Sequence, residues 1–189
     1  MDTTCVAGGI IGQFTVDQVL AVQARITEIV EKMPGGLSEA EQLLWLAEWM
    51  IENVYVYNSL SPTEQHANRN NPDFIRETHR FPDYSNALGA LMDGRADDQG
   101  IAVTFAALAY EAGIRIISIN GIDSDGERMW NMVNLDNNWY HIDMTRIIRD
   151  GWGETFFLAS DEMIEGYNTP VSFGEADFAP VPNADRGLR

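Results

Sequence analysis

Apolar residues recur at helical spacing through Val19, Val22, Ile26, Ile29 and Met33, as a helix with one buried stripe requires. Thr15 and Gln18 form a capping-box pattern at its start. Pro34, Gly35 and Gly36 end it. A second capping box, Ser38 with Glu41, opens another helix with Leu44, Ala47 and Ile51 on one stripe. Leu43, Trp45, Leu46, Trp49 and Met50 widen that apolar surface, which predicts a well-buried element. The stretch 54–58 is short and β-prone, and 59–85 is a long polar segment rich in Asn and Pro, a functional or mobile loop.

The helical period returns after Asp97 and Asp98, either of which can cap a helix whose apolar face is Ala102, Phe105, Ala106 and Ala109. Gly113 supplies its C-terminal stop. The period then changes to that of strands, over 114–120, 129–135 and 139–143. Asp136, Asn137 and Asn138 mark a hairpin between the last two. A short helix capped by Ser160 follows. Helices followed by strands predict an α+β fold, and no internal repeat or low-complexity tract interrupts it. Residues 1–13 read as a loose leader and 14–189 as a single domain.

Composition narrows the function classes. The chain is 45% hydrophobic over 189 residues, enough for a real core, and its net charge is −17. Phosphate-tracking nucleic-acid binding needs a basic stripe, and an anionic membrane surface attracts basic segments; this chain offers neither. No apolar run approaches the ~18 residues of a membrane span. The N-terminal stretch lacks the basic start of a signal peptide. Cys5 is the only cysteine, so no intrachain disulfide can form. It reads as a residue of the leader, with a former lipid-attachment site as the alternative.

The helix, strand and hairpin order, with its local motifs, resembles the transglutaminase-like family, whose core is papain-like. One family pattern places small residues and glycines around a cysteine at a helix start. Ala90, Leu91, Gly94, Ala96, Gly100 and Ala102 match it, with Asp98 in the cysteine's place. A second, His-Ala-Trp-Asn-x-Val, is met by Trp130, Asn131 and Val133, with Arg128 where the histidine stands and Met129 where the alanine stands. The third is met in full by Trp139, Tyr140, His141, Asp143 and Thr145. Phe156 to Met163 resemble a segment that often follows the core in bacterial members. The resemblance covers about 38–165. It implies N-terminal helices packed on an antiparallel sheet, and suggests a bacterial, extracellular or cell-surface setting, though the compartment stays open.

The family reaction needs a thiolate, made nucleophilic by a helix N-terminus and an imidazole, that attacks an amide. A histidine moves the proton and an aspartate orients it. Asp98 would give a mixed anhydride, an unfavourable exchange. Arg128 neither accepts nor shuttles a proton, because its pKa exceeds ~12. Losing such members typically costs on the order of 10⁴–10⁶-fold in rate. The expectation is a catalytically inactive domain, with no cofactor and no metal, that binds a peptide, protein or cell-envelope polymer or acts as a scaffold.

The replaced set, Asp98, Arg128 and Asp143, carries a charge of about −1, as a thiolate, imidazolium and aspartate would. An Asp98–Arg128–Asp143 ion network filling the former cleft is therefore expected, the fork of Arg128 bridging two carboxylates. Separate solvated residues are the alternative. Trp130, Trp139 and Tyr84 are candidate cleft-lining residues, with core packing as the other reading. A hydrolase or transferase using Asp98 and Asp143 as a carboxylate pair is the enzymatic alternative. A spacer without a ligand is a third. Asp123 to Glu127 begin like a calcium loop but lack its spacing, and read as a turn between strands. His141 with Asp143 could form a metal pair, but no histidine cluster supports one, and His141 reads as structural. His66 and His79 read as solvated.

Overall fold

The computed structural model describes residues 14–57, 84–123, 126–152, 156–165 and 169–170. The leader, Cys5, His66, His79 and most of the polar stretch 59–85 lie outside them. Helix α1 (Val16–Glu31) starts where its capping box places it, and Thr15 accepts the backbone N–H of Gln18. Helix α2 (Glu39–Asn53) does the same through Ser38 and Glu41. Each box satisfies N–H groups that a helix start otherwise leaves open. The buried stripe of α2 is Leu43, Leu46, Ala47 and Met50. Leu44 and Ile51, expected on that stripe, are only partly buried. The stripe is thus rotated by about one residue, because α2 is apolar over a wide arc and its neighbours select the deepest side.

Strand β1 (Tyr55–Val56) pairs in parallel with β2 (Arg95–Ala96). A single π-helical turn, Gly89–Asp93, leads into β2 through Gly94, whose φ is +65°. Helix α3 (Asp98–Glu111) follows, with Asp97 as its N-cap and Asp98 as its first residue. It contacts α1, α2, β3 and β4. Ile101, Ala102, Phe105, Leu108 and Ala109 are all buried, so α3 is apolar around most of its girth, as a central helix must be.

The main sheet has the order β6-β5-β4-β3-β7, and every pairing in it is antiparallel. Strand β3 (Ile116–Asp123) and β4 (Gly126–Leu135) run further than their apolar patterns indicate, since their ladder continues to Asp123 opposite Gly126. The stretch with calcium-loop character is where these two strands join; residues 124 and 125 lie outside the described set. Strand β5 (Asn138–Ile142) follows a two-residue turn in which Asp136 and Asn137 have φ of +51° and +62°. That is the left-handed geometry a tight hairpin needs and that Asn and Asp tolerate.

Asp143 leaves the ladder to cap helix α4 (Met144–Asp150), a short element the periodicity does not reveal. Strand β6 (Phe157–Ala159), helix α5 (Asp161–Glu165) and strand β7 (Thr169–Pro170) complete the fold. The expected N-terminal helices and antiparallel sheet are both present. The core joins α1 and α2 to α3 and the sheet through Ile29, Leu46, Met50, Phe105, Trp130 and Ile142.

Gly100 sets how closely the start of α3 approaches the preceding chain. A Cβ there would lie 2.1 Å from the Tyr84 carbonyl oxygen and 2.8 Å from Ala96 Cβ. The oxygen belongs to a backbone that itself accepts the Asp97 N–H at 2.9 Å, so it cannot swing aside. Gly100→Ala is expected to destabilise the protein by about 1–3 kcal/mol, although alanine is the better helix former. Urea unfolding measures it; a variant as stable as wild type would contradict the close approach.

Candidate functional site

The site lies where the first turn of α3 meets the β4–β5 pair. Asp97 fixes the helix start. Its Oδ1 accepts the Gly100 N–H at 2.9 Å, and its Oδ2 accepts a short hydrogen bond from Ser85 Oγ. Burial pushes the Asp97 carboxyl above its ordinary value. The Ser85 and Gly100 hydrogen bonds oppose that rise, and the neighbouring charge of Asp98 adds to it.

Asp98, one residue on, turns toward β4. Its Oδ2 accepts the backbone N–H of Met129 at 2.8 Å and lies 3.6 Å from Arg128 Nε. Arg128 Nη2 in turn donates to Asp143 Oδ2 at 3.4 Å. The side chain of Arg128 is 9% exposed and that of Asp143 is 1% exposed, against 29% for Asp98. The structure therefore brings Asp98, Arg128 and Asp143 together, with the guanidinium between two carboxylates and the outer carboxylate reaching solvent.

Arg146 belongs to the same cluster and was not singled out by sequence. Its Nε lies 3.7 Å from Asp143 Oδ2, its backbone N–H donates to Asp143 Oδ1 at 3.1 Å, and its guanidinium stands 5.6 Å from the Phe156 ring centre. The cluster is then two carboxylates and two guanidiniums, formally neutral rather than the −1 expected from three members. Neutrality suits a buried site, where an uncompensated charge is expensive. The available signal was the Asp143-x-x-Arg146 spacing at a helix start, which is visible only once α4 is recognised.

The aromatic residues proposed as cleft lining are placed in the interior. Trp130 and Trp139 are buried, and so is Tyr84. Trp130 donates its indole N–H to His141 Nδ1 at 3.0 Å. Trp139 packs under the Arg115 guanidinium, 5.1 Å from its ring centre. Tyr84 stacks on Tyr57 with ring centres 4.1 Å apart. All three rings are packed in the interior.

His141 is turned to Trp130 and Asp161, while Asp143 is turned to Arg128 and Arg146. The two do not converge as a metal pair would. Asn131, quoted above only as a motif match, ties three elements. Its side-chain amide donates to the Ala102 carbonyl at 3.0 Å and to Ser118 Oγ at 3.1 Å, pinning α3 to β3 and β4.

Chemically, this arrangement holds and orients charge. Both carboxylates accept backbone N–H groups and face guanidiniums. Asp98 is poised as an acceptor for β4, and Asp143 as a cap for α4.

No family model and no curated protein matches the chain. Solved structures do. A crystal structure described as that of a TGase aligns over 97% of this chain and 46% of its own, with a TM-score of 0.52 and 18% identity. A protein described as a cysteine protease candidate, from Cytophaga hutchinsonii, aligns over 92% of this chain and 62% of its own, with a TM-score of 0.47 and 11% identity. The chain thus spans less than two thirds of the length of either. What the likeness establishes is the architecture: helices against an antiparallel sheet, in the transglutaminase-like fold.

Arg128→Met is the direct test of the cluster. It strands the buried Asp143 and leaves Asp98 to water. A loss of about 3 kcal/mol is expected, the low end for breaking a buried pair because Asp98 stays hydrated and Arg146 remains. A loss below about 0.5 kcal/mol in chemical denaturation, the scale of an exposed pair, would show that the cluster is not an energetic unit.

Proposed function

We propose that this chain is a transglutaminase-like domain that performs no acyl transfer and works by binding or scaffolding. The observation that carries the reading is the state of Asp98. In the position where the family resemblance places a cysteine stands a carboxylate that is already engaged, accepting the Met129 N–H at 2.8 Å and facing Arg128 at 3.6 Å. Where the resemblance places a histidine stands a guanidinium, which neither takes nor returns a proton near neutral pH. Acyl transfer through a covalent intermediate needs both functions in one place. The fold alone does not supply them.

The expected ligand is a peptide, a protein or a cell-envelope polymer, the materials that the resemblance associates with such domains. The charge of −17 directs it toward neutral or basic partners.

Ammonia release and amine incorporation on glutamine-containing peptides and proteins test the reading. Wild type and Asp98→Ala are both expected to give no turnover above the uncatalysed rate. Turnover in wild type that disappears in Asp98→Ala would mean an enzyme with new chemistry at this site, and the proposal would fall.

A further inference from the structure

Among the described residues, another chain of polar groups crosses elements and ends at the surface. Trp130 on β4 donates its indole N–H to His141 Nδ1 at 3.0 Å. His141 Nε2 lies 2.8 Å from Asp161 Oδ1, at the first residue of α5. An indole nitrogen only donates, so His141 Nδ1 must be the accepting, unprotonated nitrogen. The proton of the neutral ring therefore sits on Nε2 and points at the Asp161 carboxylate. The His141 side chain is 2% exposed, while the Asp161 side chain is 44% exposed.

The consequence is a ring that can gain a proton only by breaking a bond. A second proton has to enter at Nδ1, where the Trp130 N–H already points. Two donors then face each other in a site without water access, and one must move. Asp161 faces the other ring nitrogen, and its charge attracts the imidazolium.

What Asp161 is attached to follows from the topology. Strands β6 and β7 are opposite edges of the sheet, and α5 lies between them in sequence. Helix α5 touches both β5 and β7 and buries Ile164. It is a one-turn element that carries the chain from one sheet edge toward the other, and His141 holds its first residue. We infer that the Trp130–His141 hydrogen bond is an acid-sensitive latch between β4 and β5, closed while His141 is neutral and opened when Nδ1 is protonated, with the imidazolium then held at the start of α5 by Asp161.

The surroundings support this direction. Across β4 the register partner of His141 is Met132, and across β6 it is Ala159, neither charged. On its own chain, Asp143 is engaged by Arg128 and Arg146. From α5 the facing charge is Asp161; Glu162, the next residue, is exposed. Burial holds the imidazole below its ordinary value of 6.5, and Asp161 opposes that fall. The unfolded chain then binds the proton more readily than the folded one between the two values. The stability this group contributes is complete above 6.5 and is lost as pH falls through the folded value. The latch also joins β4 to β5 two residues from Arg128 and Asp143, so its opening loosens the strands that carry the ion cluster.

Nuclear magnetic resonance on the ¹⁵N-labelled full chain tests the latch. At pH 8 the His141 ring is expected in the Nε2-protonated form. On acidification its nitrogens and the Trp130 indole N–H, assigned with Trp130→Phe, should shift together with a midpoint below 6.5. Protection of the Met163 and Ile164 amides, which both donate to the Ser160 carbonyl, should not fall across that midpoint, because Asp161 keeps its hold on the imidazolium. Asp161→Asn should lower the midpoint by roughly half a unit or more, the low end for a half-exposed partner. Titration of His141 without the Trp130 indole, loss of α5 protection with the same midpoint, a midpoint unmoved or raised by Asp161→Asn, or global unfolding before His141 titrates would each overturn the proposal.

Discussion

A guanidinium that is 9% exposed has to be answered by carboxylates, and here the answers come from different parts of the chain. Arg128 on β4 meets Asp98 at the start of α3 and Asp143 at the end of β5. The central helix, the hairpin and the cap of α4 are therefore bound to one cation. Asp98 reinforces the junction by accepting the backbone N–H of Met129, so the same side chain pairs with a charge and completes a strand's hydrogen bonding. Asp143 holds two roles as well, capping α4 through the Arg146 N–H while it faces Arg128. Groups with two structural partners each are poorly free for chemistry.

The resemblance places a thiol and an imidazole where this chain has Asp98 and Arg128, and similar electrostatics suits either pair. The helix N-terminus favours a negative charge whether that charge is a thiolate or a carboxylate. A buried negative charge favours a cation beside it whether that cation is an imidazolium or a guanidinium. A carboxylate beside a guanidinium therefore keeps the electrostatic pattern that the resemblance implies for this position. Arg146 then brings the cluster to neutrality, which a cleft filled by fixed side chains needs more than an open catalytic one does.

Much of the fold was legible in the sequence because its signals were local. The capping boxes at Thr15 and Ser38, the Asp97 cap and the Asp136–Asn137 turn each declare themselves within four residues. The Asp98–Arg128–Asp143 association was legible through the family resemblance, which puts the three positions at one site. Other features depend on contacts that only the assembled chain makes. Strands β2 and β7, two residues long, exist because a neighbour pairs with them. The buried stripe of α2 was displaced because an apolar helix leaves the choice of side to its neighbours. Arg146 escaped notice because α4 is only seven residues long, and Asp161 because its partner His141 lies twenty residues earlier. The aromatic residues were ambiguous in sequence, and burial decided the matter for Trp130 and Trp139.

The central claim is that Arg128 and Asp143 form one energetic unit where β4, β5 and α4 meet. A double-mutant cycle between Arg128→Met and Asp143→Asn measures it, because asparagine keeps an acceptor for the α4 cap while removing the charge. The account predicts that the two losses are non-additive by about 1 kcal/mol or more, the coupling expected of contacting charges in one network. Losses that add to within about 0.3 kcal/mol would mean that the two residues act independently, and would contradict the account.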